Sequence, residues 1–351
     1  MIDKLFNPML VVLTLCIQTA LFCSCQNSSF SCIERERQTL LKLKQSFQDP
    51  FCRLSSWKGN NCCIWKGVSC DETNGHIVKL NLRAPSRLIS DDSIFGLNII
   101  TKNSFLVPPE VNSCLPGLRY LEHLDLSGND FRYRAIPQFF GLMKQLRYRN
   151  ISNARFNGTV PNNLGNLTSL RVLDLSSEDQ GPLWALRADD VQWISNLTSL
   201  QHLGMAGIYL GEARSLFQVL NMLPSLLSLH LSQCGPDNSH LPWHPINFTF
   251  HSIRHLDLGQ NNFAGPVPFM LQNMTSLRIL DLCGNLLNSS VQNSFGNFKN
   301  LVHLNLAAND FSSIEQGLLS IMGNMCSLKS LDLSYNQFQG EKIGNHRNLS
   351  G

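Results

Sequence analysis

Charge is what this sequence has least of. Asp, Glu, Lys and Arg together make up 15% of the 351 residues, and 28 cationic side chains against 25 acidic ones leave a formal charge of +3. Disordered chains and long coiled coils carry much more charge, and 43% hydrophobic residues is too many for a disordered chain. The small net charge also offers no basic footprint for nucleic acid. Long apolar runs are equally scarce: the longest, Met9 to Cys23, is broken by Thr14, Gln18 and Thr19 and falls short of a membrane span. Catalytic signatures are missing as well. No Gly-x-Ser-x-Gly elbow, His-Glu-x-x-His helix, Gly-x-x-x-x-Gly-Lys loop or kinase motif set occurs, so the reading is of a non-enzyme without a cofactor.

Cysteine, by contrast, is plentiful. Twelve are an unusual load for a compartment that keeps thiols reduced. The N-terminus agrees with an oxidising destination. Lys4 precedes the apolar stretch, and the small residues Cys23 and Cys25 stand three and one positions before Gln26, the pattern of a signal peptide over residues 1–25.

The rest of the chain repeats. Leu-x-x-Leu-x-Leu-x-x-Asn occurs in full at Leu121–Asn129, Ile253–Asn261, Leu277–Asn285, Leu301–Asn309 and Leu328–Asn336, and more loosely from Ile77, Leu146, Leu170, Leu200 and Leu226. From Ile253 the period is 24, 24 and 27 residues, but 44 residues separate Ile77 from Leu121 and 30 separate Leu170 from Leu200. The first gap holds a degenerate repeat or an inserted loop, the second an insertion around Trp184 to Trp193. Within Leu-x-Leu the side chains alternate, so each copy is a short strand with its leucines on one face. One coil cannot bury those leucines; stacked coils can. Ten rungs at ~4.8 Å spacing would make a parallel sheet roughly 45 Å long on the concave side of a solenoid. The Asn closes each strand and offers its amide to loop backbone. Cys234 replaces it in the Leu226 copy, and Ala154, Glu178 and Ile208 replace it in three others, so the middle of the array is expected to be less regular.

A second signature follows the Asn: Phe156-Asn157-Gly158-Thr159-Val160-Pro161, Phe263-Ala264-Gly265-Pro266-Val267-Pro268, and a partial form from Phe131 to Pro137. Before the repeats, Ser31-Cys32-Ile33-Glu34 reads as a capping box, Leu40, Leu43 and Phe47 as one helix face, and Asp49-Pro50 as its stop. Leu54-Ser55-Ser56-Trp57 and Cys62-Cys63-Ile64-Trp65-Lys66-Gly67-Val68-Ser69-Cys70-Asp71 complete a lid for the open end of the solenoid.

The Phe-x-Gly-x-Val-Pro run joined to the leucine ladder resembles the plant-specific class of leucine-rich repeat. The cap, the strand entry Gly75-His76-Ile77-Val78-Lys79-Leu80-Asn81-Leu82 and the repeats resemble the extracellular part of plant leucine-rich-repeat receptor-like proteins over nearly all of Ser31 to Gly340. Gln192-Trp193-Ile194-Ser195, Asn221 to Leu226 and Asn324 to Leu328 look most like the branch containing receptors for fungal xylanase. The resemblance implies an α/β repeat solenoid, a parallel sheet on its concave face and an N-terminal disulfide-stapled cap. The expected division is a signal peptide at 1–25, the cysteine cap at 26–75, about ten repeats at 76–340 and an unstructured or truncated end at 341–351. The family's cap pattern, carried onto this chain, pairs Cys32 with Cys62 and Cys63 with Cys70. Cys52, Cys114, Cys234, Cys283 and Cys326 remain, and five thiols cannot all pair internally.

In function, the resemblance implies a truncated receptor ectodomain at the cell surface. It would bind a protein, peptide or cell-wall carbohydrate ligand and pass the signal to a co-receptor kinase. The alternative is a complete soluble inhibitor of a microbial cell-wall hydrolase, secreted to the apoplast and resembling the polygalacturonase-inhibiting proteins, which have ten such repeats.

Three further sets of residues bear on that reading. Asn-x-Ser/Thr acceptors fall at Asn27, Asn150, Asn157, Asn166, Asn196, Asn247, Asn273, Asn288 and Asn348; Asn166, Asn196 and Asn273 recur just before a strand, whereas Asn150 lies on one and would place sugar on the concave face. His240/His244 and His251/His255 have zinc-pair spacing, but Pro242, Pro245 and strand context deny them a shared helix, while His123, His202, His255 and His303 take the same outward position on rungs too far apart to share an ion. Residues 119–171 carry eight Arg and Lys against Glu122, Asp125 and Asp130. Arg147, Tyr148 and Arg171 face outward there and are the expected ligand contacts, an aromatic ring beside guanidinium groups. Arg149 stands where a leucine belongs, implying either a slip in register or a side chain that snorkels outward.

Overall fold

The computed structural model describes residues 31–85, 105–107, 113–177, 184–241, 250–288, 295, 298–312 and 325–338. The chain opens with helix α1, Glu34–Ser46, whose Leu40 and Leu43 are buried against the first coils. The capping box does not form: the N-cap is Ile33 and no side chain caps the helix. The helix also stops before Asp49-Pro50, and Asp49 serves the next turn instead, accepting hydrogen bonds from the amides of Arg53 and Leu54 at 2.8 Å. Behind α1, Trp57 and Trp65 stack at 5.5 Å, each indole donating to a backbone carbonyl of the other's loop. Cys32 is bonded to Cys62 and Cys63 to Cys70, tying α1 to the hairpin strand β1, Val68–Cys70.

Antiparallel to β1 runs β2, Ile77–Asn81, and from there every neighbour is parallel. The strands are β3 His123–Asp125, β4 Tyr148–Asn150, β5 Val172–Asp174, β6 His202–Gly204, β7 Ser228–His230, β8 His255–Asp257, β9 Ile279–Asp281, β10 His303–Asn305 and β11 Ser330–Asp332. They form one 11-stranded sheet in sequence order. Each parallel strand is only a few residues long, because the Asp or Asn between the second and third leucines turns the chain. Asp125, Asn150, Asp174, Asp257, Asp281, Asn305 and Asp332 each accept from the amide two residues on.

This sheet selects between the two readings of the first gap and locates the irregularity of the middle. β2 pairs directly with β3, so the 44-residue gap adds no rung between them and is an insertion rather than a degenerate repeat. The middle of the array is also unbroken as a sheet, with β4 through β8 in continuous register. Its irregularity lies in the asparagine ladder. Asn129, Asn261, Asn285, Asn309 and Asn336 donate to carbonyls of their own and the preceding coil. In the copies between, Ala154 and Ile208 are simply buried, and the Cys234 thiol donates weakly to Met205 and Ser232 carbonyls.

The Phe-x-Gly-x-Val-Pro runs have a structural task of their own. Gly158-Thr159 pairs in parallel with Leu186-Arg187, and Ala264-Gly265 with Leu286-Leu287, a second set of short ladders. Gly158 and Gly265 sit at φ +87° and +77°, where a side chain would be strained. The phenylalanines enter the core, Phe131 stacking on Phe156 at 4.4 Å.

Candidate ligand-recognition face

The sheet turns its leucines inward, which leaves the intervening residues as columns on the concave surface. One column, in register, is Lys79, His123, Tyr148, Val172, His202, Ser228, His255, Ile279, His303 and Ser330. On its one side lie Asn81, Asp125, Asn150, Asp174, Gly204, His230, Asp257, Asp281, Asn305 and Asp332. On the other, linked by backbone hydrogen bonds from rung to rung, lie Glu122, Arg147, Arg171, Gln201, Leu227, Arg254, Arg278, Val302 and Lys329. The face is thus striped, cations along one border and aspartates along the other, with rings between. Counting net charge along the sequence missed the aspartates, although their signal, an acid or amide between the leucines of most copies, was present.

Arg147, Tyr148 and Arg171 come together on adjacent rungs, the Arg171 amide donating to the Arg147 carbonyl at 2.7 Å. Tyr148 stacks on His123 with ring centres 4.0 Å apart and planes 10° from parallel. Burial pushes the Tyr148 hydroxyl pKa up, and it pushes His123 down, helped by the Lys79 charge. Arg147 pairs with Glu122 at 3.4 Å, both half-exposed, whereas Arg171 is exposed. Of the other cations in the segment, Arg155 pairs with Asp130 and Arg132 donates to Gln48.

Arg149 neither slips nor snorkels. It is in register between Leu124 and Leu173, is 0% exposed, and lays its guanidinium over Phe140 at 3.7 Å. All three guanidinium nitrogens are without a hydrogen-bond partner. Burial lowers its pKa to about 9. Arg149 therefore takes no part in the face its neighbours form.

Asn157, Asn166, Asn196 and Asn288 are exposed. Asn166, Asn196 and Asn273 each end a short turn before a strand. Asn150 is half-buried on β4, its amide nitrogen 3.5 Å from the Tyr148 hydroxyl. Asn27, Asn247 and Asn348 lie outside the described residues, as do His244 and the end from 341. His240 closes a turn with Asp237 and reaches the Gly211 carbonyl, while His251 precedes β8 and His255 is on it. Among the described residues the one cluster of three potential metal ligands is Cys32, Cys62 and Cys63, whose sulfurs are already in disulfides. Cys52, Cys114, Cys234, Cys283 and Cys326 are not in disulfides. Burial, with Asp281 beside it, pushes the Cys283 thiol up to about 12, which leaves it unreactive at neutral pH. No helix among the described residues is long and apolar enough to cross a membrane.

A parallel sheet of leucine rungs, an asparagine ladder and a stapled cap define a leucine-rich-repeat protein of the plant type. Family models agree: a leucine rich repeat N-terminal domain matches residues 33–71 and leucine rich repeats match 117–134, 251–311 and 324–341. The chain belongs to the leucine-rich-repeat family, and its sequence relatives are plant receptor-like proteins. Receptor-like proteins EIX1 and EIX2 of Solanum lycopersicum are 33% and 36% identical to it over 79% and 87% of its length. It spans 26% and 29% of those relatives' own lengths. Among solved structures, a plant ice-binding protein matches with TM-score 0.65 and 20% identity over 88% of each chain. The Arabidopsis receptor kinase HAESA, solved with the peptide hormone IDA and the co-receptor SERK1, matches with TM-score 0.62 and 22% identity over 87% of this chain and 50% of its own. At such identities the structural likeness concerns the fold.

Proposed function

We propose that the chain is the extracellular ligand-recognition part of a plant cell-surface receptor-like protein, made in the secretory pathway. It binds its ligand on the concave face and hands the signal to a co-receptor kinase without chemistry of its own. The observation that carries this reading is the cluster of Tyr148, Arg147 and Arg171 on a rigid sheet. The stack on His123 fixes Tyr148 before any ligand arrives, so little side-chain entropy is lost on contact, and guanidinium groups flank it on the next positions. A plant leucine-rich-repeat ectodomain solved with a peptide hormone and a co-receptor supports the same assignment of roles.

The test is a binding measurement with the secreted chain and a plant or microbial extract fraction that it captures. Tyr148→Ala with Arg147→Glu and Arg171→Glu is expected to abolish capture while the chain still folds cooperatively. Charge reversal at Lys299 and Lys329, both exposed and remote, is expected to leave it unchanged. Equal loss from both sets, or none from the first, removes the cluster as the binding site.

A further inference from the structure

Three histidines stand on three consecutive rungs of the concave face: His202 on β6, His230 on β7 and His255 on β8. His202 and His255 share one column, with Ser228 in register between them. His230 lies two residues beyond Ser228 on the same side of the sheet and folds back over it, its Nε2 3.0 Å from the Ser228 Oγ. Ser228 faces outward yet is only 3% exposed. The small serine thus leaves a gap between two imidazoles, and the third points into it. On the other side of the His230 ring, Nδ1 is 3.9 Å from the Asp257 carboxylate, which β8 sets in register beside it. The Gly259 amide, at 2.9 Å, holds that carboxylate in place. His202 and His230 are exposed and His255 half-buried, so the rings are open to solvent.

Rungs two apart are ~10 Å from each other, a gap that two imidazoles and two metal–nitrogen bonds of about 2.1 Å span. His230 brings a third nitrogen to its middle. The spacing rule that keeps column histidines from sharing an ion therefore fails for His202 and His255, whereas the larger Ile279 stands between His255 and His303. The ligand atoms of the three are not already within 4.8 Å of one another. Closing on an ion takes rotation of exposed side chains and no movement of the sheet. Acids flank His230 on both sides: Asp257 on β8, and Asp174, which leans over Gly204 so closely that a side chain there would meet its carboxylate at 2.5 Å. They offset the border cations Arg171, Arg254 and Arg278 and favour an incoming cation.

We propose that His202, His230 and His255 bind one divalent transition-metal ion on the concave face, Cu2+ more tightly than Zn2+. Imidazole nitrogens suit these ions, whereas Ca2+ and Mg2+ require oxygen ligands. Asp257 is a positioning residue: beside Nδ1 it orients the His230 ring and leaves Nε2 to the metal. Three protein ligands leave a further coordination position open toward solvent, where water or a carboxylate or imidazole of a bound molecule completes the set. Because the ligands come from three rungs, the ion also ties β6, β7 and β8 together and stabilises the folded chain by mass action. Metal binding here does not depend on the receptor role.

The experiment is titration calorimetry of the secreted, untagged chain with Cu2+ and with Zn2+, after alkylation of the exposed thiols of Cys52 and Cys326. One equivalent of either ion is expected to bind, Cu2+ the more tightly, and to raise the melting temperature. His202→Ala, His230→Ala and His255→Ala, each confirmed folded by its metal-free melting curve, should weaken Cu2+ binding at least about tenfold. His230→Gln replaces any His230→Ala that does not fold. Electron paramagnetic resonance of the Cu2+ complex should count three nitrogens in the unmodified sequence and two in the His230 variant. Asp257→Asn should weaken binding about tenfold with the count still at three. His303→Ala, exposed in the same column, should change neither readout. No binding, dependence on a single histidine, a nitrogen count unchanged by the variants, or an equal loss from His303→Ala would overturn the proposal.

Discussion

Arg149 offers the sharpest perturbation, because the repeat places a leucine there and the chain supplies a guanidinium. Burial alone lowers its pKa to about 9. At about 1.4 kcal/mol per pH unit that corresponds to a penalty of about 5 kcal/mol on the charged form, an upper bound. Stacking on Phe140 returns about 1–2 kcal/mol. Arg149→Leu removes the penalty and the stacking and leaves a small void, for a net gain of about 1–4 kcal/mol. The sign of the pH dependence is fixed by the direction of the shift. Below pH 9 both folded and unfolded chains are protonated at this site, and the cost is constant. Above about pH 9 the unfolded chain keeps the proton that the folded chain releases, so the arginine protein gains stability as pH rises. Urea unfolding, with the exposed thiols of Cys52 and Cys326 blocked, is therefore expected to show Arg149→Leu more stable at pH 8. The gap should narrow by about 1.4 kcal/mol at pH 10. Arg149→Met, closer in length, should behave alike. A leucine variant that is less stable at pH 8, or a gap that ignores pH, would show that the guanidinium is solvated and that the reasoning is wrong.

Three other outcomes follow from the same contacts. Glu36 is 4% exposed and accepts from the Ile77 amide at 2.7 Å and from His76 at 2.8 Å, so Glu36→Ala should cost about 2–3 kcal/mol and speed hydrogen exchange at Ile77. Asn285→Ala strands the Phe263 amide and three carbonyls, and should cost at least about 2 kcal/mol in denaturant unfolding, whereas Cys234→Ala, which removes only a weak thiol donor, should cost less than about 1 kcal/mol. Sugar attached to Asn150 would cover Tyr148, so in a secretory host Asn150→Gln is expected to raise ligand capture if mass spectrometry finds that site occupied, and unchanged capture would separate Tyr148 from binding.

Leu-x-x-Leu-x-Leu-x-x-Asn was enough to establish the solenoid, the side of the sheet that each residue faces and the class of protein. A period of 2 within the strand and about 24 between strands leaves the leucines one way to be buried. Spacing likewise put Arg147, Tyr148 and Arg171 on one face. What spacing could not decide was everything that depends on neighbours distant in sequence. The role of Glu36 rests on an amide 41 residues away, and the pairing of Tyr148 with His123 on register across a rung. That Arg149 stays inside, instead of reaching water, depends on Phe140 lying within 3.7 Å. The gathering of Arg53, Lys66, Lys79 and Arg83 is the clearest case, since they are scattered over 31 residues. Only the fold of the cap hairpin onto β2 gathers them around one cavity, because Coulomb energy follows distance in space and not position along the chain.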